Sequence, residues 1–311
     1  MIQKFISRLK SNKRLWFTSI FIISILGIAS STYLLVSTTT RVSNSVYTSQ
    51  IKDYELRFKN LENLTKNKLS QIALALKQDD RLINSFKDNN VTNLEQIQNK
   101  FNSSIKSQEE NTLILKLYST KNKEEVLRNS VISSIQAKND IFGVEVIYNG
   151  IFYIYLLPVS EDDKIIGVIE IRQNIYSLRE NFTNLKQEQI FLLDSKMLPL
   201  LSIQNKDGIY IPVAKNHLIN SKIYDSVTLG YLPELDHLAL EEIMKGNYII
   251  TKELYLTGVM IRDLNGVNIG LVVMGENINK DSSFVNMAKT MTNQVIMIVL
   301  GLIVALLLFL F

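Results

Sequence analysis

The chain has 311 residues, of which 46% are hydrophobic and 21% charged, a balance typical of a folded protein and not of a disordered one. Its 34 basic and 30 acidic residues give a net charge of +4 and are interspersed, without a basic stripe interleaved with aromatic residues, which excludes nucleic acid as the expected partner. The absence of cysteine excludes disulfides, thiolate catalysis and cysteine-ligated metal sites.

An uncharged segment near the N-terminus predicts a first transmembrane helix. Residues 15–36 read LWFTSIFIISILGIASSTYLLV, about 22 residues or roughly 33 Å of helix, enough to span a bilayer. Five basic residues and no acidic residue precede it, so the positive-inside rule places residues 1–14 in the cytoplasm. A cleaved signal peptide is the alternative, and the length of the run argues against it.

A second apolar segment, QVIMIVLGLIVALLLFLF at residues 294–311, predicts another transmembrane helix. Two spans with a cytoplasmic start place the residues between them in the periplasm or outside the cell, with both spans in the inner (cytoplasmic) membrane. Because the sequence stops while still apolar, we expect a longer polypeptide whose cytoplasmic part follows Phe311. A simple two-span anchor is the alternative.

The region after the first span predicts a long helix that rises from the membrane, which we assign to residues 38–90. Residues 38–77 contain no proline or glycine, and their apolar residues recur at helical spacing and form one stripe. This stripe must be covered by the chain's own domain or by a second copy in a parallel dimer. We expect a homodimer that cross-links through Tyr54, Phe58 or Leu61.

A first α+β module is predicted over residues 91–187. It begins with a helix at Thr92, where Glu95 completes a capping signature. Runs rich in β-branched and aromatic residues then predict antiparallel strands joined by hairpin turns. Those strands are predicted at 112–119, 143–149, 151–160 and 164–174, with a covering helix at 123–139.

A second module is predicted over residues 188–280, because one strand pattern recurs. KIIGVIEIRQNI, which begins at Lys164, shares its Ile-Gly pair and its Asn-Ile pair with VNIGLVVMGENI, which begins at Val267, so that Gly167 matches Gly270. A strand at 188–197, a helix at 232–246 and a closing hairpin over 264–266 complete the module. The predicted fold class is α+β, a long N-terminal helix carrying two tandem modules with antiparallel sheets, flanked by transmembrane helices. Residues 281–311 form the exit helix and the second span.

This arrangement resembles an extracytoplasmic double Cache sensor domain, in which two PAS-like modules sit on one long helix. It is closest to the double sensory domain of two-component sensor kinases and methyl-accepting chemoreceptors. The residues that fit this pattern are Arg128, Gly143, Glu145, Gly150, Pro158, Gly167 and Glu170. One departure is Ile154, which stands where an arginine often precedes the proline.

The resemblance implies a small-ligand pocket on the concave face of the first sheet, formed by Arg128, Glu145, Tyr153, Tyr155 and Glu170. Arg128 would hold a carboxylate or phosphate through its bidentate fork. The alternative is a structural Arg128–Glu145 or Arg128–Glu170 pair, with the tyrosines covering the core.

In the second module, Tyr248, Tyr255 and Arg262 could serve similarly, with exposed strand positions as the alternative. The histidines, His217 and His237, lack the spacing of a metal pair, and no catalytic or nucleotide-binding motif occurs, so we expect no cofactor. The sequence therefore gives no reason to expect an enzymatic activity in these 311 residues.

The predicted function is the ligand-sensing region of a bacterial transmembrane signalling receptor, namely a chemoreceptor, a sensor histidine kinase or a diguanylate cyclase. Its partner would be a small molecule or a periplasmic binding protein, and any enzymatic domain would lie beyond Phe311. The alternative is a membrane-anchored envelope interaction protein with no small-molecule ligand.

Overall fold

The computed structural model describes residues 13–105, 113–122, 127–279 and 283–310. The α-helices are α1 (Lys13–Lys77), α2 (Asp80–Lys87), α3 (Val91–Ser104), α4 (Asn129–Ala137), α5 (Arg179–Thr183), α6 (Ile203–Lys206), α7 (Ser226–Gly230), α8 (His237–Met244) and α9 (Phe284–Leu310). The strands are β1 (Leu113–Ser119), β2 (Ile141–Ile147), β3 (Gly150–Glu161), β4 (Lys164–Asn174), β5 (Glu188–Asp194), β6 (Tyr210–Ala214), β7 (His217–Asn220), β8 (Ile249–Ile250), β9 (Leu254–Arg262) and β10 (Asn268–Asn277).

The chain divides into two compact units. One contains residues 51–277 and therefore both sheets, and the other combines the described parts of 1–50 and 278–311. In the second of these units the rings of Tyr47 and Phe284 meet edge to face, with centroids 6.1 Å apart. Among the described residues, no helix is both long enough and apolar enough to traverse a bilayer. The two predicted spans stay predictions.

The first sheet has the strand order β1-β4-β3-β2 and is antiparallel throughout, which confirms the predicted meander. Asp162 and Asp163 both adopt positive φ between β3 and β4, the conformation that a tight two-residue hairpin requires. Gly150 has φ of +148° at the start of β3, where a side chain would be strained. Turn chemistry thus sets the register of this sheet.

The second sheet has the order β6-β7-β5-β10-β9-β8, and its centre repeats the first sheet. The last strand of each module lies between that module's first strand and the strand before it, as β4 does between β1 and β3. A Cβ at Gly167 would overlap the ring of Phe86, and a Cβ at Gly270 would overlap the backbone oxygen of Leu192. The repeated glycine therefore has a packing reason in both modules.

Several local predictions were wrong. Helix α3 begins one residue before Thr92, and its cap is Asn90, whose side chain accepts a hydrogen bond from the amide of Asn93 at 3.0 Å. Strands β6 and β7 were not predicted. Arg128 is not in the covering helix but directly before it, in an extended conformation with φ −70° and ψ 154°.

The apolar stripe of α1 is covered by the chain's own domain over residues 51–77. Ile51, Tyr54, Phe58, Leu69 and Ala73 are buried within this unit. The proposed cross-linking positions Tyr54 and Phe58 are therefore not available to a second copy, since their side chains lie in the core.

Within residues 51–77, the exposed large apolar residues of α1 lie on its other face. They are Leu56, Leu64 and Leu74, of which Leu64 is 63% exposed. At 100° per residue their directions fall roughly opposite the buried stripe. A dimer through α1 would use this face.

Candidate functional site

Arg128, Glu145 and Glu170 come together on one face of the first sheet. The Arg128 guanidinium donates from Nη1 to Glu145 on β2 and from Nη2 to Glu170 on β4. The extended backbone of Arg128, just before α4, directs the side chain across the strands. Three of the five predicted site residues thus form one cluster, with the arginine between two carboxylates.

Two residues that the sequence reasoning did not identify complete the cluster. Arg172 donates from Nε to Glu170 Oε1 at 2.8 Å and from Nη2 to Oε2 at 3.1 Å. The Tyr118 hydroxyl donates to Glu170 Oε2 at 2.6 Å. Arg172 follows Glu170 by two positions in a strand, which places both on the same face, so the signal for it was present in the sequence.

The cluster borders an apolar layer beneath α4. The buried residues of this apolar layer include Tyr118, Val131, Phe152, Ile154 and Leu156. The position of the missing arginine, Ile154, lies directly opposite Arg172 in the β3–β4 register. The guanidinium group at this point of the sheet therefore comes from Arg172 on β4 and not from position 154 on β3.

Ser130 of α4 donates its hydroxyl to Glu145 at 2.9 Å. Glu145 therefore receives hydrogen bonds from both the residue before the helix and a residue in its first turn. This carboxylate is held at the side of the cluster nearest α4, where its side chain keeps 18% exposure.

The cluster carries two positive and two negative charges and is electrically balanced. Burial alone would raise the pKa of Glu170, but Arg172 and Arg128 outweigh burial and hold that pKa below its usual range. Burial and the charge of Glu170 raise the pKa of Tyr118 to about 12. Both glutamates face guanidinium groups, and Glu170, with no exposed surface, depends entirely on its protein partners.

Tyr153 and Tyr155 lie on the opposite face of the sheet, away from Arg128. Tyr155 receives a hydrogen bond from Ser70 of α1 at 3.0 Å and donates one to Asp140 at 2.8 Å. Tyr153 stacks on Phe142 with centroids 6.1 Å apart and is fully buried. The structure therefore does not bring the tyrosines together with Arg128, Glu145 and Glu170.

In the second module the structure brings Tyr248 and Tyr255 together but does not bring Arg262 to them. Tyr255 is buried, with ring centroids 6.3 Å from Tyr54 and 5.5 Å from Tyr248. Arg262 is exposed on the other side of β9 and lines a cleft of about 530 Å³.

The two histidines differ in burial and in their contacts. His217 is buried at the start of β7, and exposed His237 pairs with Glu241 at 3.1 Å. Within the described ranges, no group of three histidine, aspartate or glutamate side chains is placed to hold a metal ion.

No family model matches the sequence, and no curated protein matches it. Solved structures do resemble it. The sensor domain of the histidine kinase DctB from V. cholerae has a TM-score of 0.41 at 11% identity, over 74% of this chain and 98% of that chain. A domain of a sensory box/GGDEF family protein from Vibrio parahaemolyticus has a TM-score of 0.41 at 12% identity, over 74% and 96%.

A further similar structure is the ligand-binding domain of the Campylobacter jejuni chemoreceptor Tlp3, solved with 4-methylisoleucine. Its TM-score is 0.33 at 15% identity, over 80% of this chain and 95% of that chain. The structures to which this chain is similar are thus sensor and ligand-binding domains of histidine kinases and chemoreceptors.

Proposed function

We propose that this chain is the sensory portion of a bacterial transmembrane signalling receptor, with residues 38–293 outside the cytoplasm. The observation that carries the proposal is the duplicated module, in which β4 and β10 occupy the same place in two antiparallel sheets. Both sheets belong to one compact unit with residues 51–77 of α1.

Signalling requires that a ligand bind two states of the sensor with different affinity, because that difference is the only energy available to shift the equilibrium. The proposed receptor is a chemoreceptor, a sensor histidine kinase or a diguanylate cyclase. The input is a small molecule or a periplasmic binding protein.

Within the first module, Arg128 is the proposed ligand contact and Glu145 its exchangeable partner. The Glu145 side chain keeps 18% of its surface exposed, whereas Glu170 has none. An incoming carboxylate or phosphate can therefore take the place of Glu145 on the guanidinium fork while Glu170 stays in position. Arg172 keeps Glu170 ionised throughout this exchange.

A screen of thermal unfolding tests the sensor function. The full chain in lipid nanodiscs is heated with amino acids, carboxylates, polyamines and nucleobases, and unfolding is followed by circular dichroism. A ligand at 100 times its dissociation constant stabilises by about 2.7 kcal/mol, which is roughly 5–10 °C for a domain of this size. A saturable shift with one class supports the proposal, and no shift with any class contradicts direct sensing.

The second candidate function is an envelope interaction protein without a small ligand. It is favoured by one observation: the Arg128 guanidinium already holds two carboxylates of its own chain. In that case the cluster is structural, and the chain should co-purify with an envelope protein whose binding is unaffected by Arg128→Ala.

A further inference from the structure

The second module contains a cleft that the Arg128 cluster does not use. It has a volume of about 530 Å³ and lies between the Glu55–Glu62 stretch of α1 and the outer side of β9, with the end of α8 closing one side. All of its walls belong to the compact unit formed by residues 51–277. Its size is in the range of small-molecule sites.

The walls of the cleft are largely apolar. Phe58 is 2% exposed and Ile243 is 1% exposed, so both form its inner surface, while Met260 is 42% exposed and stands at the opening. Gly258 adds an inner surface without a side chain. An apolar ligand body of modest size fits between these residues.

Glu62 is the half-buried ionisable group of the cleft, and the other charged groups that line it are exposed. In the part of the chain that the structure describes, no cationic side chain forms an ion pair with Glu62. Burial raises the pKa of Glu62, and the Tyr153 hydroxyl and the charge of exposed Lys59, one turn away, lower it by less than burial raises it. A half-buried carboxylate without a counter-charge is unfavourable unless something supplies one.

The Tyr153 hydroxyl is the polar neighbour of Glu62 and interacts with its carboxylate. Tyr153 is fully buried, and its hydroxyl has no hydrogen-bond partner other than Glu62 among the residues described. Burial and the charge of Glu62 both raise the pKa of Tyr153. Glu62 thus has a neutral hydroxyl as its neighbour and no counter-charge, in a cleft whose walls are largely apolar.

We propose that this cleft is a second binding site, specific for a small organic amine whose ammonium group pairs with Glu62 and whose carbon chain packs against Phe58, Ile243 and Met260. Binding here does not rest on the proposed sensor function, because the cleft and the Arg128 cluster share no residue.

The basic residues at the opening do not argue for an anion. Lys245 pairs with Glu242 at 2.6 Å, and Lys59 and Arg262 are exposed, where water screens their charges. An anionic ligand at the opening would leave Glu62 without its counter-charge, whereas an amine supplies it.

Calorimetric titration of the full chain in nanodiscs tests the proposal, with empty nanodiscs as the blank. The probes are n-butylamine, n-butanol and butyrate, which share a carbon chain and differ in charge. We expect saturable binding of n-butylamine only. Glu62→Gln should weaken it roughly tenfold or more, because a hydrogen-bonded ion pair is replaced by a neutral contact.

The matched control is Asp53→Asn, which removes a carboxylate from an exposed position of the same helix outside the cleft lining and should alter the affinity less than about twofold. Glu62→Asp keeps the charge and should retain measurable binding, which guards against a folding defect in Glu62→Gln. Equal affinity in wild type and Glu62→Gln, or binding of butyrate instead of the amine, would overturn the proposal. Arg128→Ala should leave n-butylamine binding unchanged, so this test and the sensor test can fail separately.

Discussion

Arg172 and Glu170 stand two residues apart on β4 and form a bidentate pair in the interior, with Nε to Oε1 at 2.8 Å and Nη2 to Oε2 at 3.1 Å. This pair fixes the carboxylate that also accepts from Arg128. It explains how a glutamate with no exposed surface stays ionised, since two guanidinium groups and a tyrosine hydroxyl share its charge.

Glu170→Gln should lower the free energy of unfolding by roughly 3–5 kcal/mol, because it leaves two buried guanidinium groups without their common partner. Glu145→Gln is the matched control and should cost about 1 kcal/mol, since Glu145 is partly exposed and holds one guanidinium. Urea unfolding of the full chain measures both. Equal losses in the two variants would contradict the central place given to Glu170.

Acid should destabilise the protein through Glu170. Its folded pKa lies below the ordinary value of 4.5, so its stabilisation is complete above that value and is lost as the pH falls through the folded pKa. The difference in unfolding free energy between wild type and Glu170→Gln should therefore shrink below about pH 4.5. A difference that stays constant from pH 7 to pH 3 would show that Glu170 is not ionised in the folded state.

Glu62 should have the opposite pH dependence. Burial raises its folded pKa above 4.5, so its ionised form costs stability above that value and protonation restores stability as the pH falls. Glu62→Gln should thus stabilise the protein at pH 7 in the absence of amine, by an amount that declines toward pH 4. Unfolding curves at several pH values check this, and a destabilised Glu62→Gln at pH 7 would contradict it.

The repeated glycine should tolerate alanine poorly in both modules. Gly270→Ala meets the fixed backbone oxygen of Leu192 and Gly167→Ala meets the buried ring of Phe86, so we expect losses of about 1–3 kcal/mol, larger for Gly270. Gly230→Ala in α7, where a Cβ has open space, is the control and should be neutral or slightly stabilising. Similar melting temperatures for all three variants would remove the packing reason for the repeat.

Cross-linking should distinguish the two faces of α1. Because the chain has no cysteine, Leu64→Cys and Tyr54→Cys each introduce a single thiol. Oxidation in membranes should yield a disulfide-linked dimer for Leu64→Cys, which is exposed, and none for Tyr54→Cys, which is buried in its own domain. A dimer with Tyr54→Cys alone would contradict the packing of α1 described above.

The sequence predicts the strands and hairpins well because β-branched residues and turn residues mark them locally. The two-residue turn at Tyr148 and Asn149 also sets the register that pairs Glu145 with Phe152. By strand alternation this register already separates Tyr153 and Tyr155 from Glu145, so their placement was readable from the sequence. Counting faces from that turn would have removed them from the predicted site.

Other features depend on tertiary contacts that local patterns do not record. Asn90 caps α3 because the chain turns after α2, and α4 begins only at Asn129, which leaves Arg128 extended so that it can reach across the sheet. The stripe on α1 predicted that something covers it, and only the folded chain shows that its own sheets do.

The most direct test of the sensor function compares two arginines in the thermal-unfolding measurement with the ligand class that shifts wild type. Arg128→Ala should abolish the ligand-dependent shift while the protein stays folded. Arg179→Ala should retain the shift, because Arg179 pairs with Asp225 and does not belong to the Arg128 cluster. A full shift in Arg128→Ala would contradict sensing through the first module and leave the Arg128 cluster with a structural role only.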